Sequence, residues 1–158
     1  MTTRIGFGYD VHAFAPGRSL ILGGVTVPYE YGLSGHSDAD TLSHAIIDAL
    51  LGAAALGDIG GHFPSSDTRW KDQSSSVFLD YTHTLLQQQN WKIGNIDATI
   101  VAQRPRLAPH IQDMRAYLAE HLHLQLEQVS VKATTTDGLG FAGHGEGIAC
   151  YAVALIEK

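Results

Sequence analysis

The sequence predicts an α/β or α+β fold, a mixed sheet with helices packed on one face. Residues Ile5, Phe7, Tyr9 and Val11 alternate with Gly6, Gly8, Asp10 and His12, the two-residue period of a half-buried strand. Leu42, Ala45, Ile46, Ala49 and Ala53 recur at helical spacing. Alternating segments return at Ile96–Ala102, Val129–Ala133 and Ile148–Ile156, each set off from the previous strand by a helix or a glycine-rich turn.

Taken in order, the first strand puts Asp10 and His12 on one face. Leu20–Leu22 and Val25–Val27 flank Gly23 and Gly24, a two-residue connection suited to a tight hairpin because glycine accepts positive φ, and Pro28 ends the second arm. Ser37 or Asp38 can cap the first helix, and Gly57 follows as its stop. His44 and Asp48 lie four apart on that helix, off its apolar stripe. A second helix is expected between Ser76 and Gln89. A third begins near Pro109, whose fixed φ suits a first helical turn, and ends around Leu122. No internal repeat or low-complexity tract interrupts the pattern.

A chain of 158 residues with no compositional break reads as one domain over residues 1–158. Charged residues make up 16%, against roughly 25% in an average soluble protein, so part of the surface is expected to be buried between subunits. The net charge of -6 argues against a nucleic-acid partner, which calls for clustered Lys and Arg; an anionic ligand here would need metal ions or local donors. No apolar run is long enough to span a membrane, and MTTRIGFGYD lacks the apolar centre of a signal peptide, so a cytoplasmic protein without membrane contact is expected. The single cysteine, Cys150, rules out an internal disulfide and a multi-thiolate zinc site; its apolar neighbours make it a core residue.

Side chains two apart on a strand lie roughly 6.5 to 7 Å apart along the chain, near enough for Asp10 and His12 to reach one cation, with His44 as a third ligand from the helix. One oxygen and two nitrogens leave a fourth position open, as at catalytic zinc. A D-x-H pair alone is a weak signal, more often a polar pair on a solvent-facing strand.

The surrounding segments are more specific. RIGFGYDVHAF, GHSDAD with His44 and Asp48 beyond it, LGAAALGDIGGHFP, VKATTTDGLGF and GEGIACYAV occur in this order between about Arg4 and Ile156. In these segments the chain resembles the 2-C-methyl-D-erythritol 2,4-cyclodiphosphate synthase family. The resemblance implies a homotrimer with active sites between neighbouring subunits. It further implies conversion of 4-diphosphocytidyl-2-C-methyl-D-erythritol 2-phosphate, a cytidine diphosphate derivative, into the 2,4-cyclodiphosphate and CMP. One zinc ion per site is implied, with a second divalent cation, Mg2+ or Mn2+.

By matching position, the resemblance implies metal ligands at Asp10, His12 and His44, and Asp48 stands where it could orient one of them. His36 and Ser37 match phosphate contacts just ahead of a helix, where free N–H groups and the dipole favour an anion. Asp58, Ile59 and Gly60 match the segment holding the methylerythritol hydroxyls. Phe63 to Asp67 lies beside the substrate, with Ser65 where many relatives carry Asp. Ala102 to Ala108, including Pro105, Arg106 and Leu107, matches the cytidine pocket. Thr134 and Thr135 match contacts to the diphosphate, and Thr135 and His36 take the catalytic positions that stabilise the transition state. Asp137 stands where relatives usually have Glu as ligand of the second ion. Phe141 and His144 complete the substrate-side residues, His144 replacing an Arg that in relatives lines a cavity on the threefold axis.

Two other readings remain open from the residues. The same ligands could activate water in a metal-dependent phosphohydrolase, or the chain could be a trimeric nucleotide-binding protein without turnover. Gly138, Gly140 and Gly143 satisfy G-x-G-x-x-G, but no crossover helix or distal acidic residue follows, which excludes dinucleotide binding. Trp70 and Trp91 read as packing residues.

Overall fold

The computed structural model describes residues 1–158. β1 (Thr3–Ala15) is followed by the hairpin of β2 (Leu20–Leu22) and β3 (Val25–Val27), then β4 (Gly32–Leu33), α1 (Thr41–Ala53), the one-turn α2 (Ile59–His62) and α3 (Ser75–Gln88). The second half comprises β5 (Lys92–Val101), α4 (Ile111–Leu122), β6 (Val129–Thr134), the one-turn α5 (Gly140–Gly143) and β7 (Gly147–Glu157). Five strands form one sheet in the order β4-β1-β7-β5-β6. It is mixed, as expected: β5 and β6 are parallel and the other neighbours antiparallel.

Helix α1 lies across β1 and β7 at the centre of a single hydrophobic core. It is not the amphipathic surface helix its stripe suggests, because α3 covers its far side and Ile47 and Leu51 are as buried as Leu42 and Ile46. Its approach to β1 depends on two glycines. A Cβ on Gly8 would lie 1.8 Å from the Ala45 carbonyl oxygen, and one on Gly6 1.9 Å from that of Ala49. Any side chain there would push the helix off the strand and carry His44 away from Asp10 and His12.

The glycine face of β1 is therefore the covered one. Its apolar face, with Ile5 73% and Phe7 62% exposed and Tyr9 and Val11 beside them, is bare. Pairing of Phe7 with Val153 and of Tyr9 with Tyr151 extends this apolar surface across β7, and both partners are exposed.

The N-cap of α1 is Asp40, in place of the expected Ser37 or Asp38; its side chain accepts from the Ser43 N–H. Asp38 instead accepts from the backbone N–H groups of Asp40 and Ser75. The helix ends at Ala53, before Gly57, because Ala55 already takes a left-handed φ of 59°. Cys150 is buried in the sheet, where burial pushes its thiol well up, so it is inert. No helix is long and apolar enough to cross a membrane.

Candidate functional site

The end of β1 is longer than its alternation suggests because it also pairs with β4, Phe14 opposite Leu33. The ladder continues one residue further, with the Ser34 N–H donating to Ala13 O at 2.8 Å. That pairing fixes the Ser34 carbonyl beside His12, whose Nδ1 lies 2.6 Å from it. With its proton engaged at Nδ1, the ring turns a bare Nε2 lone pair inward.

This Nε2 lies 2.9 Å from Asp10 Oδ2, and His44 Nδ1, delivered by α1, lies 3.3 Å from the same oxygen. The three ligand atoms all fall within 4.8 Å of one another. Asp10 Oδ2 and His12 Nε2 are buried and neither makes a hydrogen bond. A carboxylate oxygen and an imidazole nitrogen buried this close together need a proton or a metal cation between them, and with the His44 nitrogen as a third ligand atom the cluster fits a divalent metal. The electrostatics agree. Burial pushes the Asp10 carboxyl up, but His12 and His44 beside it outweigh burial and hold it down at about 2. Burial likewise pushes His12 down, yet Asp10 and the Ser34 carbonyl together raise it. Positive charge is favoured at this point.

The cluster opens into a cavity of about 250 Å³ that also carries His36, Ser37, Ile59, Gly60 and Phe63. The metal, phosphate and most of the sugar residues expected from the sequence thus meet in one place. Ser37 Oγ lies 3.4 Å from His44 Nε2, and His36 Nε2 donates to the Asp67 carbonyl at 3.1 Å. Asp58 caps α2, accepting from the Gly61 N–H at 2.8 Å, and so shapes the Ile59–Gly60 turn. Asp67 is not a cavity-lining residue: its carboxylate caps the turn Thr68–Trp70 and pairs with Arg69 at 2.6 Å. Asp48, expected to orient a metal ligand, accepts instead from the Ile59 N–H at 2.8 Å and pins α2 to α1.

Ala102, Pro105, Arg106, Leu107, Ala108, Thr134 and Thr135 line a second cavity of about 340 Å³ at the ends of β5 and β6, with Gln103 and Arg104. It shares no lining residue with the metal cavity. Asp137, with φ 53°, follows on the loop, where Thr135 Oγ1 donates to its carboxylate at 3.4 Å. Asp137 and Phe141 line neither cavity: Asp137 is exposed on the loop and Phe141 is exposed on α5. His144 belongs to a third cavity, of about 360 Å³, with Tyr29, Gln103 and Arg104.

Three contributors carry no sequence signal. Arg18 donates to the carbonyls of Gly35 and Ser37, each at 2.7 Å, clamping the segment on both sides of His36. Ser34 acts through its backbone, and Trp70, read as packing, lines the metal cavity. An arginine whose partners are loop carbonyls matches no motif.

Comparison with known proteins agrees with this geometry. The profile of the YgbB family matches residues 3–157. A protein of Geobacter metallireducens named 2-C-methyl-D-erythritol 2,4-cyclodiphosphate synthase is 61% identical over 98% of this chain and 99% of its own. A protein of the same name from Syntrophomonas wolfei is 59% identical over the same shares. The solved CDP complex of IspF from Plasmodium falciparum superposes with a TM-score of 0.86 at 34% identity, covering 98% of this chain and 95% of that one. With profile, sequence and fold agreeing from end to end, this chain belongs to the YgbB family.

Proposed function

We propose that the protein converts 4-diphosphocytidyl-2-C-methyl-D-erythritol 2-phosphate into 2-C-methyl-D-erythritol 2,4-cyclodiphosphate and CMP in the cytoplasm. The observation that carries this reading is the meeting, in one cavity, of the unpaired Asp10–His12–His44 cluster with His36, Ser37 and the Ile59–Gly60 turn. The names of its relatives and the CDP held by the Plasmodium falciparum neighbour support it.

In this reaction an oxygen of the 2-phosphate attacks the β-phosphorus, a new P–O bond closes the eight-membered ring, and the bond to the CMP oxygen breaks. No protein nucleophile is needed, so the chain's task is positioning and charge neutralisation. Asp10, His12 and His44 would hold a zinc ion, which would supply Lewis-acid polarisation to a phosphate oxygen. His36 and Ser37, clamped by Arg18, meet the same phosphate. Asp58 has one oxygen engaged by the Gly61 N–H and the other free for a sugar hydroxyl, beside Ile59 and Gly60. Phe63 borders that part of the substrate, and Asp67 acts through its backbone carbonyl, which holds His36. The backbone of Ala102 to Ala108 reads the cytosine, Arg106 faces phosphate, and Thr134 and Thr135 hold the diphosphate. His36 and Thr135 stabilise the transition state. Asp137 offers a carboxylate to a second divalent ion, Mg2+ or Mn2+, which takes one or two carboxylates plus phosphate oxygens. Phe141, on α5, and His144, from the third cavity, complete the residues assigned to the substrate.

The enzyme works as a homotrimer, its bare apolar sheet face turned to the neighbouring subunits. A substrate with a metal-bound end and a cytidine end suits two cavities with no lining residue in common, one from each of two subunits. Phe7→Asp, on that face, should leave a folded monomer with turnover lowered at least about 100-fold, since burying an unpaired carboxylate costs several kcal/mol. Light scattering coupled to size exclusion checks this; an unchanged trimer would remove the face from the interface.

Purified protein given the substrate should release CMP, stop after chelation, and resume when zinc and magnesium are restored. CMP release measured by chromatography and undiminished by chelation would contradict the metal-dependent reading.

A further inference from the structure

Only three buried side-chain nitrogen or oxygen atoms in the chain lack a hydrogen-bond partner, and all three belong to residues lining the metal cavity: Asp10 Oδ2, His12 Nε2 and Trp70 Nε1. The first two present lone pairs and are satisfied by one cation. The third cannot be, because an indole nitrogen is a donor only. A buried donor without an acceptor is costly, and native structures keep few of them.

The half-buried ring packs against three side chains. Phe63 meets it edge-on, with centroids 5.0 Å apart at 87°, Phe78 packs at 5.9 Å, and the Arg69 guanidinium lies over it at 5.2 Å. Phe78 in turn touches the edge of His44 at 6.0 Å, so a continuous aromatic wall runs from Trp70 to a metal ligand.

We infer that Trp70 is a substrate-binding residue whose indole N–H donates to an oxygen of the molecule filling the metal cavity, either a hydroxyl or a phosphate oxygen of a phosphorylated polyol. This rests on the function proposed above and adds a recognition contact to it. Trp70→Phe keeps an aromatic ring against Phe63 and Phe78 and deletes the donor. Titration calorimetry of the zinc-loaded enzyme with 2-C-methyl-D-erythritol 2,4-cyclodiphosphate should show Trp70→Phe binding at least about tenfold more weakly, the usual effect of losing a hydrogen bond to a charged group. Zinc content should be unchanged, and KM should rise more than kcat falls. Equal affinities at equal zinc content would overturn the assignment and leave Trp70 as packing. Failure of the unsubstituted enzyme to bind the cyclic product would overturn both this inference and the proposed function. A second measurement keeps Trp70 intact: in Trp91→Phe, where it is the sole indole of the two in the chain, its emission should shift on adding the cyclic product. No shift in protein that binds the product would equally overturn the inference.

Discussion

Replacing His44 with alanine should empty the metal site and lower turnover about 10³-fold, because polarisation of a phosphoryl oxygen is worth several kcal/mol and each 1.36 kcal/mol is about tenfold. Two ligands would remain, on β1, with Asp10 left facing His12 alone. The protein should still fold. His44 touches Phe78 at its edge, and trimming that contact costs about 1–2 kcal/mol against a usual total of roughly 5–15 kcal/mol. Metal content per subunit by mass spectrometry, measured beside steady-state turnover, checks both halves. Full turnover in metal-free His44→Ala protein would end the assignment of this cluster.

Asp40→Ala should be the most damaging substitution for the fold, costing about 4 kcal/mol or more. The Asp40 carboxylate is completely buried. It accepts from the N–H groups of Gly23 and Gly24 at 2.8 Å each, from Ser43 N–H at 3.0 Å, and from the hydroxyls of Ser43 and Ser75 at 2.8 and 2.7 Å. One side chain thus ties the β2–β3 hairpin, the start of α1 and the start of α3 together. Alanine would take the acceptor from five donors; the Ser75 hydroxyl keeps Tyr117 Oη at 3.1 Å, but the buried N–H groups of Gly23 and Ser43 would be stranded, at about 1–3 kcal/mol each. Asp40→Asn keeps one acceptor oxygen but turns an NH2 toward N–H groups, so it should recover only part of the loss. Thermal unfolding followed by circular dichroism reads this directly; a midpoint within about 3 °C of the parent would contradict it.

Much of this architecture was legible in the residues. The hairpin at Gly23 and Gly24 forms between the strands expected, and both glycines take positive φ. The three strands of the second half were recognised by their alternation, and α3 begins one residue earlier than expected, capped by Ser74. Misjudged boundaries have a common cause, which is that distant partners decide them. Strand β5 starts at Lys92 because β7 pairs with it across an irregularity at Ile93 and Asn95, and β1 runs on to Ala15 because β4 lies beside it. GHSDAD offers three capping residues within four positions. Asp40 prevails because Gly23, Gly24 and Ser75, from two other elements, converge on it.

The site divides along the same line. Strand periodicity puts Asp10 and His12 on one face, but His44 joins them through the family resemblance, because helical spacing says only that it lies off the apolar stripe. The tautomer of His12 could not be read from the residues, because it follows from a carbonyl at Ser34. Nor could the clamp from Arg18, the engagement of Asp48 with α2, or the unpaired indole of Trp70, which depend on loops whose course periodicity does not specify.

The metal cavity is expected to let the substrate close a phosphate ring within one molecule without admitting water as nucleophile. A phosphorus NMR time course with the enzyme, zinc, magnesium and 4-diphosphocytidyl-2-C-methyl-D-erythritol 2-phosphate tests it most directly, because every phosphorus-containing product is seen at once. The expected result is a cyclic diphosphate appearing one-for-one with CMP. CMP accompanied by a linear product would contradict it and identify the same ligands as those of a phosphohydrolase.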